Sequence, residues 1–260
     1  MTTPPPAPPP PPSPPPSMPS VPSGGWSAVP TGSPVERIRA AYAARNQSDY
    51  FFSNIGLDIF LTIITCNIYG LVVFYQLMRR MRDHNRRRLE MLDAANDFAW
   101  QQAVDRGIAE ELRPYFERIS INLSVLRQMT TDFRDPTVWL VIVIGVAVVG
   151  SGYLGFIPWM IGLLVIDGDL VKHDQNEGAV EAELSAIFAR LGQNVPAPDP
   201  ARVKAPLNYA GRIVATVFTC SIYGYWWQAD AMRDGNQHFL HNWAWEDGLA
   251  GAVQALAPAA

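Results

Sequence analysis

Few side chains in this sequence are placed to do chemistry. His238 and His241, at i and i+3, could set two imidazoles on one helix face as metal ligands, but no third ligand accompanies them, so no metal site is expected. The two cysteines, Cys66 and Cys220, sit in equivalent apolar surroundings. Their chemistry would be a disulfide or thiolate ligation, yet such surroundings favour small packing residues. Asp58 and Arg212 bear opposite charge at equivalent places in two similar segments. A pair inside a membrane would carry function, but both are expected at the interface, facing water. No acid, base and nucleophile cluster in the apolar segments, so neither a catalytic nor a cofactor site is expected, and the chain reads as a non-enzyme. The polar side chains within those segments are Thr62, Thr65, Asn67, Thr216 and Ser221.

The segments that carry these residues are apolar and uncharged. Residues 59–78 hold no charge and would extend about 30 Å as a helix, enough to cross a hydrocarbon core. Residues 136–166 form a second such run and 213–229 a shorter third, about 26 Å long. After the first run come Arg79, Arg80, Arg82, Arg86, Arg87 and Arg88, which by the positive-inside rule would fix its end in the cytoplasm. The second run allows one long tilted helix or a hairpin turning at its glycines, the hairpin being favoured by Pro158. Ala147, Ser151 and Gly155 in it are spaced i, i+4, i+8, which suits close helix packing.

Outside these runs the chain is polar. Residues 1–34 hold 15 of the 23 prolines and read as a disordered, locally polyproline II tail. Residues 35–50 read as a short amphipathic helix lying on the membrane surface. Residues 83–132 read as a cytoplasmic helical arm, with Pro114 ending one helix and starting another. One more helix is expected over 177–191. The division is therefore 1–34 tail, 35–135 first membrane segment and arm, 136–200 second apolar segment and polar linker, and 201–260 a truncated repeat with its own tail. The small net charge of −4 argues against a nucleic-acid partner. Arginine outnumbers lysine 18 to 2, a bias that suggests a bacterial genome.

The first and third runs are copies. Thr65-Cys66-Asn67-Ile68-Tyr69-Gly70 matches Thr219-Cys220-Ser221-Ile222-Tyr223-Gly224 at an offset of 154, and with a short gap Met81-Arg82-Asp83-His84-Asn85 matches Met232-Arg233-Asp234-Gly235-Asn236. These residues resemble a prokaryotic membrane-protein family of unknown function with the motif T-[CL]-G-I-Y-G-x-Y-W. The likeness covers roughly residues 55–240, and Asp169-Leu170-Val171-Lys172-His173 looks like the family's polar ending. The sequence departs from the motif at Asn67 and Ser221, where the family has glycine, and at Val73, where it has tryptophan. The family lends no activity.

Asn67 and Gly70 disfavour a helix interior. The first run is therefore expected to break near I-Y-G, an unbroken span being the alternative. The expected fold is an all-α, polytopic helical membrane protein with one and a half repeats, in the bacterial cell membrane. The expected role is a scaffold or interaction protein, with a small transporter or channel subunit as the alternative. Its partners would be the lipid bilayer, a second copy of itself and a proline-binding domain at residues 1–34, with no cofactor.

Overall fold

The computed structural model describes residues 32–131, 135–150, 155–200 and 207–257. The proline-rich tail lies outside these residues, except that Pro34 already opens a helix. Among the described residues all regular structure is helical, in nine helices.

Each uncharged run is broken into an antiparallel hairpin. Helices α3 (Ile55–Ile64) and α4 (Ile68–Asp105) form the first, α6 (Pro136–Val149) and α7 (Phe156–Arg190) the second, and α8 (Tyr209–Phe218) and α9 (Ile222–Leu256) the third. Among the described residues no helix is long and apolar enough to cross a membrane. The break expected near I-Y-G is present, and so is the favoured hairpin in 136–166. The single helix expected over 177–191 is instead the far half of α7, because residues 167–176 continue the helical hydrogen bonding without interruption.

The motif explains the break residue by residue. Cys66 and Asn67 take left-handed conformations, φ 49° and 70°, as do Cys220 and Ser221, φ 49° and 74°. The Asn67 amide donates back to the Thr62 carbonyl at 2.8 Å, and the Ser221 amide to Thr216 at the same distance, the closing bond of a Schellman-type helix end. Thr65 ties the two helices together: its hydroxyl donates to the Leu61 carbonyl at 2.7 Å and accepts from the Tyr69 amide at 3.0 Å. Thr219 repeats this with Ala215 and Tyr223. Gly70 and Gly224 allow close approach, since a Cβ at 70 would stand 2.8 Å from the Thr62 methyl and one at 224 would stand 2.5 Å from Trp159. The cysteines are not the packing residues expected. Both are free and exposed at the turns.

The three long helices α4, α7 and α9 run parallel. Contacts climb together along them, from Phe74 against Gly162 and Trp159 against Gly224 to Arg88 against Glu177 and Glu246. One core, around Phe74, Leu77, Leu163, Trp227 and Phe239, fills the end near the hairpins. A second, around Leu92, Phe116, Leu123, Leu184 and Leu249, fills the other end. There α5 (Ala109–Thr131) packs antiparallel on α7, through Arg118–Glu183 and Arg190–Glu111. The break before α5 is at Gly107, φ +70°, rather than at Pro114. Pro114 lies inside α5, near enough to its start that only the bond to the Glu110 carbonyl is forgone.

Residues 35–50, expected as one amphipathic helix, form helices α1 (Pro34–Ala43) and α2 (Arg45–Ser48), and the apolar face of α1 packs on the protein. Ile38 and Ala41 are buried in the second core, Arg37 pairs with Glu90 and Asp97, and Arg45 pairs with Asp247. The polar face of α1 finds carboxylates on α4, so the protein supplies the partner that lipid headgroups would have offered.

Candidate metal centre

Between the two cores lies a buried polar layer, built from equivalent positions on the three parallel helices. His84 lies 16 residues after Ile68, His238 lies 16 after Ile222, and His173 lies 17 after Phe156. The three rings meet edge to face, with centroids 5.0 to 5.5 Å apart. One turn further on, Glu177 accepts from both Arg88 and Asn242. Another turn along, Glu181 and Glu246 close on the Arg88 guanidinium.

His84 Nδ1 lies 3.0 Å from Asp49 Oδ1, and His238 Nδ1 lies 3.0 Å from Asp174 Oδ1. Each carboxylate holds the proton on Nδ1 and turns the bare Nε2 inward. The two Nε2 atoms are then 3.2 Å apart. Glu177 Oε2 is 3.4 Å from His238 Nε2 and 3.6 Å from His173 Nε2. Neither ring nitrogen of the buried His173 has a hydrogen bond. Burial pushes the His84 imidazole down to about 3 and holds His238 below its ordinary value, so both rings are neutral at pH 7. The Asn242 amide nitrogen completes the layer, 3.0 Å from Glu177 Oε2, 3.1 Å from His238 Nε2 and 3.3 Å from His84 Nε2.

Two arginines brace this layer. Arg88 contacts Glu177 through Nε, Glu181 through Nη2 at 2.5 Å and Glu246 through Nη1 at 2.9 Å. Arg87 bridges Glu246 and Asp49, 2.7 Å from each. Burial opposes the charges of Asp49 and Glu177. The His84 ring and Arg87 hold Asp49 well below the usual carboxylate range, and chiefly Arg88 does so for Glu177. Trp243 Nε1 also donates to Asp49, at 2.7 Å.

The expected site residues fall in three places. Arg80, Arg87 and Arg88 are inside the protein, Arg80 donating to the Ala231 and Met232 carbonyls of α9 across Gly235. Arg79 and Arg86 are exposed and Arg82 is half-buried. Ala147 and Gly155 touch within one hairpin, where a Cβ on Gly155 would stand 2.6 Å from that of Ala147. Ser151 lies outside the described residues. His241 faces solvent while His238 turns inward, so the two never share a face.

His84, His173 and Glu177 were missed in the sequence. The repeat held a usable signal. At a constant offset of 154 His84 falls on His238, whereas the gapped alignment set Gly235 against it. Asp58 and Arg212 form no pair with each other: Asp58 accepts from the Tyr69 hydroxyl at 2.8 Å and Arg212 donates to Asp230 at 3.1 Å. Comparison with protein-family models, curated proteins and solved structures finds no match for this chain.

Proposed function

We propose that the protein is a membrane-seated scaffold whose three hairpins dip into one leaflet and hold the helical bundle at its surface. The observation that carries this reading is the apolar end itself. All three hairpins contribute to one cleft, whose lining includes Asn67, Ile68, Ala147, Gly155 and Ser221. Around it Ile68 is 71% exposed, Val149 87%, Phe218 83% and Ile222 72%. So large a contiguous apolar surface marks a contact with lipid or protein. Its depth favours lipid. The ten-residue helices α3 and α8 reach about 15 Å, half of a hydrocarbon core of about 30 Å. Arg79 and Arg233 each stand 11 residues past a turn, about 16 Å along the long helix, at headgroup level for a hairpin inserted to that depth.

The location is then a bacterial membrane entered by re-entrant hairpins, and membership of the I-Y-G membrane family belongs to the same reading. A transporter is less well supported. The Thr62, Thr65 and Thr216 hydroxyls each donate to a carbonyl of their own helix instead of lining a path. The bundle axis near the turns is filled by Phe74, Leu77, Leu163 and Trp227.

Cys66 and Cys220 report on this directly. In detergent-free vesicles of phosphatidylcholine and phosphatidylglycerol both thiols should resist a charged maleimide, and a fluorophore placed on either should be quenched by brominated acyl chains. Full reactivity of both cysteines in vesicles, with release of the protein by alkaline carbonate, would refute leaflet insertion.

A further inference from the structure

We propose that His84, His173, Glu177 and His238 bind one divalent transition-metal ion, zinc being the best fit, as a structural staple between α4, α7 and α9. This inference is independent of the membrane reading. It rests on three observations.

First, the four potential donor atoms lie within 4.8 Å of one another, and all four residues are buried. A tetrahedral ion with bonds of about 2.0–2.1 Å separates its ligands by about 3.3–3.4 Å. Three separations already bracket that value: 3.2 Å between the Nε2 atoms of His84 and His238, 3.4 Å from His238 to Glu177, and 3.6 Å from His173 to Glu177. No hydrogen bond within 3.5 Å fixes the His173 ring, so a small rotation about its side-chain torsions is the adjustment that ligation would require.

Second, the Nδ1 atoms of His84 and His238 face Asp49 and Asp174. Histidine ligands generally donate the other ring N–H to a carboxylate in this way. With Nδ1 protonated, two imidazole lone pairs come within 3.2 Å of each other, with the Asn242 amide as their one neutral donor among the described residues, an arrangement that a cation between them would satisfy more fully. Third, His173 is buried with neither ring nitrogen in hydrogen-bond range of a protein group, Glu177 being nearest to Nε2 at 3.6 Å, which is costly for a structural histidine and ordinary for a ligand.

The donor set of three imidazoles and one carboxylate suits zinc and its borderline neighbours rather than calcium or magnesium. Four protein ligands leave no position for substrate, which is the pattern of a structural rather than a catalytic ion.

The test uses the full chain, purified in detergent without a histidine tag, stripped by a chelator and then titrated with zinc or cobalt(II). The expected result is one equivalent bound, the intense visible absorption of four-coordinate cobalt, and a melting temperature that rises with metal and falls with chelator. His173→Ala should weaken binding by more than about 100-fold, beyond what losing a supporting partner of a ligand costs. His241→Ala should bind as the wild type does. If His173→Ala fails to fold, His173→Gln replaces it, and the wild-type chelation experiment stands by itself. Absence of stoichiometric binding with a melting temperature indifferent to chelator would overturn the assignment, leaving a proton between the imidazoles. So would wild-type affinity in a folded His173 variant.

Discussion

Replacing Arg88 by methionine removes the cation on which three helices converge, while nearly preserving the volume and shape of the side-chain stem. Its guanidinium is fully buried and contacts Glu177, Glu181 and Glu246, themselves fully buried. After the change Glu246 keeps Arg87 and Glu177 keeps Asn242, but each carboxylate has lost a charge partner in a medium that solvates it poorly. Breaking a buried pair by removing one member costs about 3–5 kcal/mol. With three carboxylates on one cation, the upper part of that range is expected, against a total of about 5–15 kcal/mol for an ordinary domain. The bidentate pair of Arg118 and Glu183 is a control with the same chemistry at the surface, where Arg118→Met should leave stability nearly unchanged. Urea unfolding in mild detergent at pH 7.5, followed by the fluorescence of Trp245 beside Arg88, reads both. A second signature separates the loss of charge from the loss of packing. In the wild type Glu177 titrates below its ordinary value, so its contribution is present above that value and fades as the pH drops. In Arg88→Met burial acts with less opposition, the folded carboxyls titrate higher than the unfolded ones, and stability should be regained as the pH falls. A deficit below about 1 kcal/mol, or an unchanged slope of stability with pH, would refute the reasoning.

Other perturbations follow from single contacts. Gly162→Ala places a Cβ 2.4 Å from the buried Phe74 ring, and the overpacking should cost about 1–3 kcal/mol by thermal melting. Ser221→Gly relieves a left-handed serine and should stabilise by up to about 1 kcal/mol, whereas Asn67→Gly should be nearly neutral because asparagine tolerates that region. Partial burial disfavours the charge of Asp247, but the Tyr42 hydroxyl and Arg45 outweigh it and hold its carboxyl below the ordinary 3.8. The clasp of α1 and α2 on α9 is therefore at full strength above that value and weakens as the pH falls through the lower folded value. Asp247→Asn should remove this acid-dependent step from hydrogen exchange measured along α1.

The hairpin turns were legible because they are local. Asn67 and Ser221, directly before I-Y-G, both take a positive φ, a conformation that asparagine tolerates and that glycine adopts freely. The amphipathic pattern of residues 35–50 gave the helix but not its partner, because carboxylates at Glu90, Asp97 and Asp247 compete with headgroups for the same arginines. The centre was not legible. His84, His173 and His238 come from three elements, and the α6–α7 hairpin shares the architecture of the other two without their motif. The arginine run illustrates the same limit. Charge density after an apolar run suggests membrane topology, yet Arg80, Arg87 and Arg88 have their partners within the fold.

The parallel arrangement of α4, α7 and α9 has an electrostatic consequence. Each long helix carries a macrodipole equivalent to about half a positive charge at its N-terminus, and all three N-termini lie at the apolar end, where no water would screen them in a bilayer. Alone, such a trio would concentrate about one and a half positive charges in hydrocarbon. The short helices prevent this, for α3, α6 and α8 each deliver a C-terminus, with its half negative charge, into the same turn. Each Thr65- or Thr219-type bridge then joins the two poles through one hydroxyl. The pairing of short with long helix thus cancels the end charges locally, which lowers the electrostatic cost that placing the closed ends of the bundle in an apolar medium would carry. At the opposite end, Arg106 caps the α7 terminus by donating to the Leu191 carbonyl at 2.5 Å, so a side chain takes over there the role that a partner helix plays at the turns.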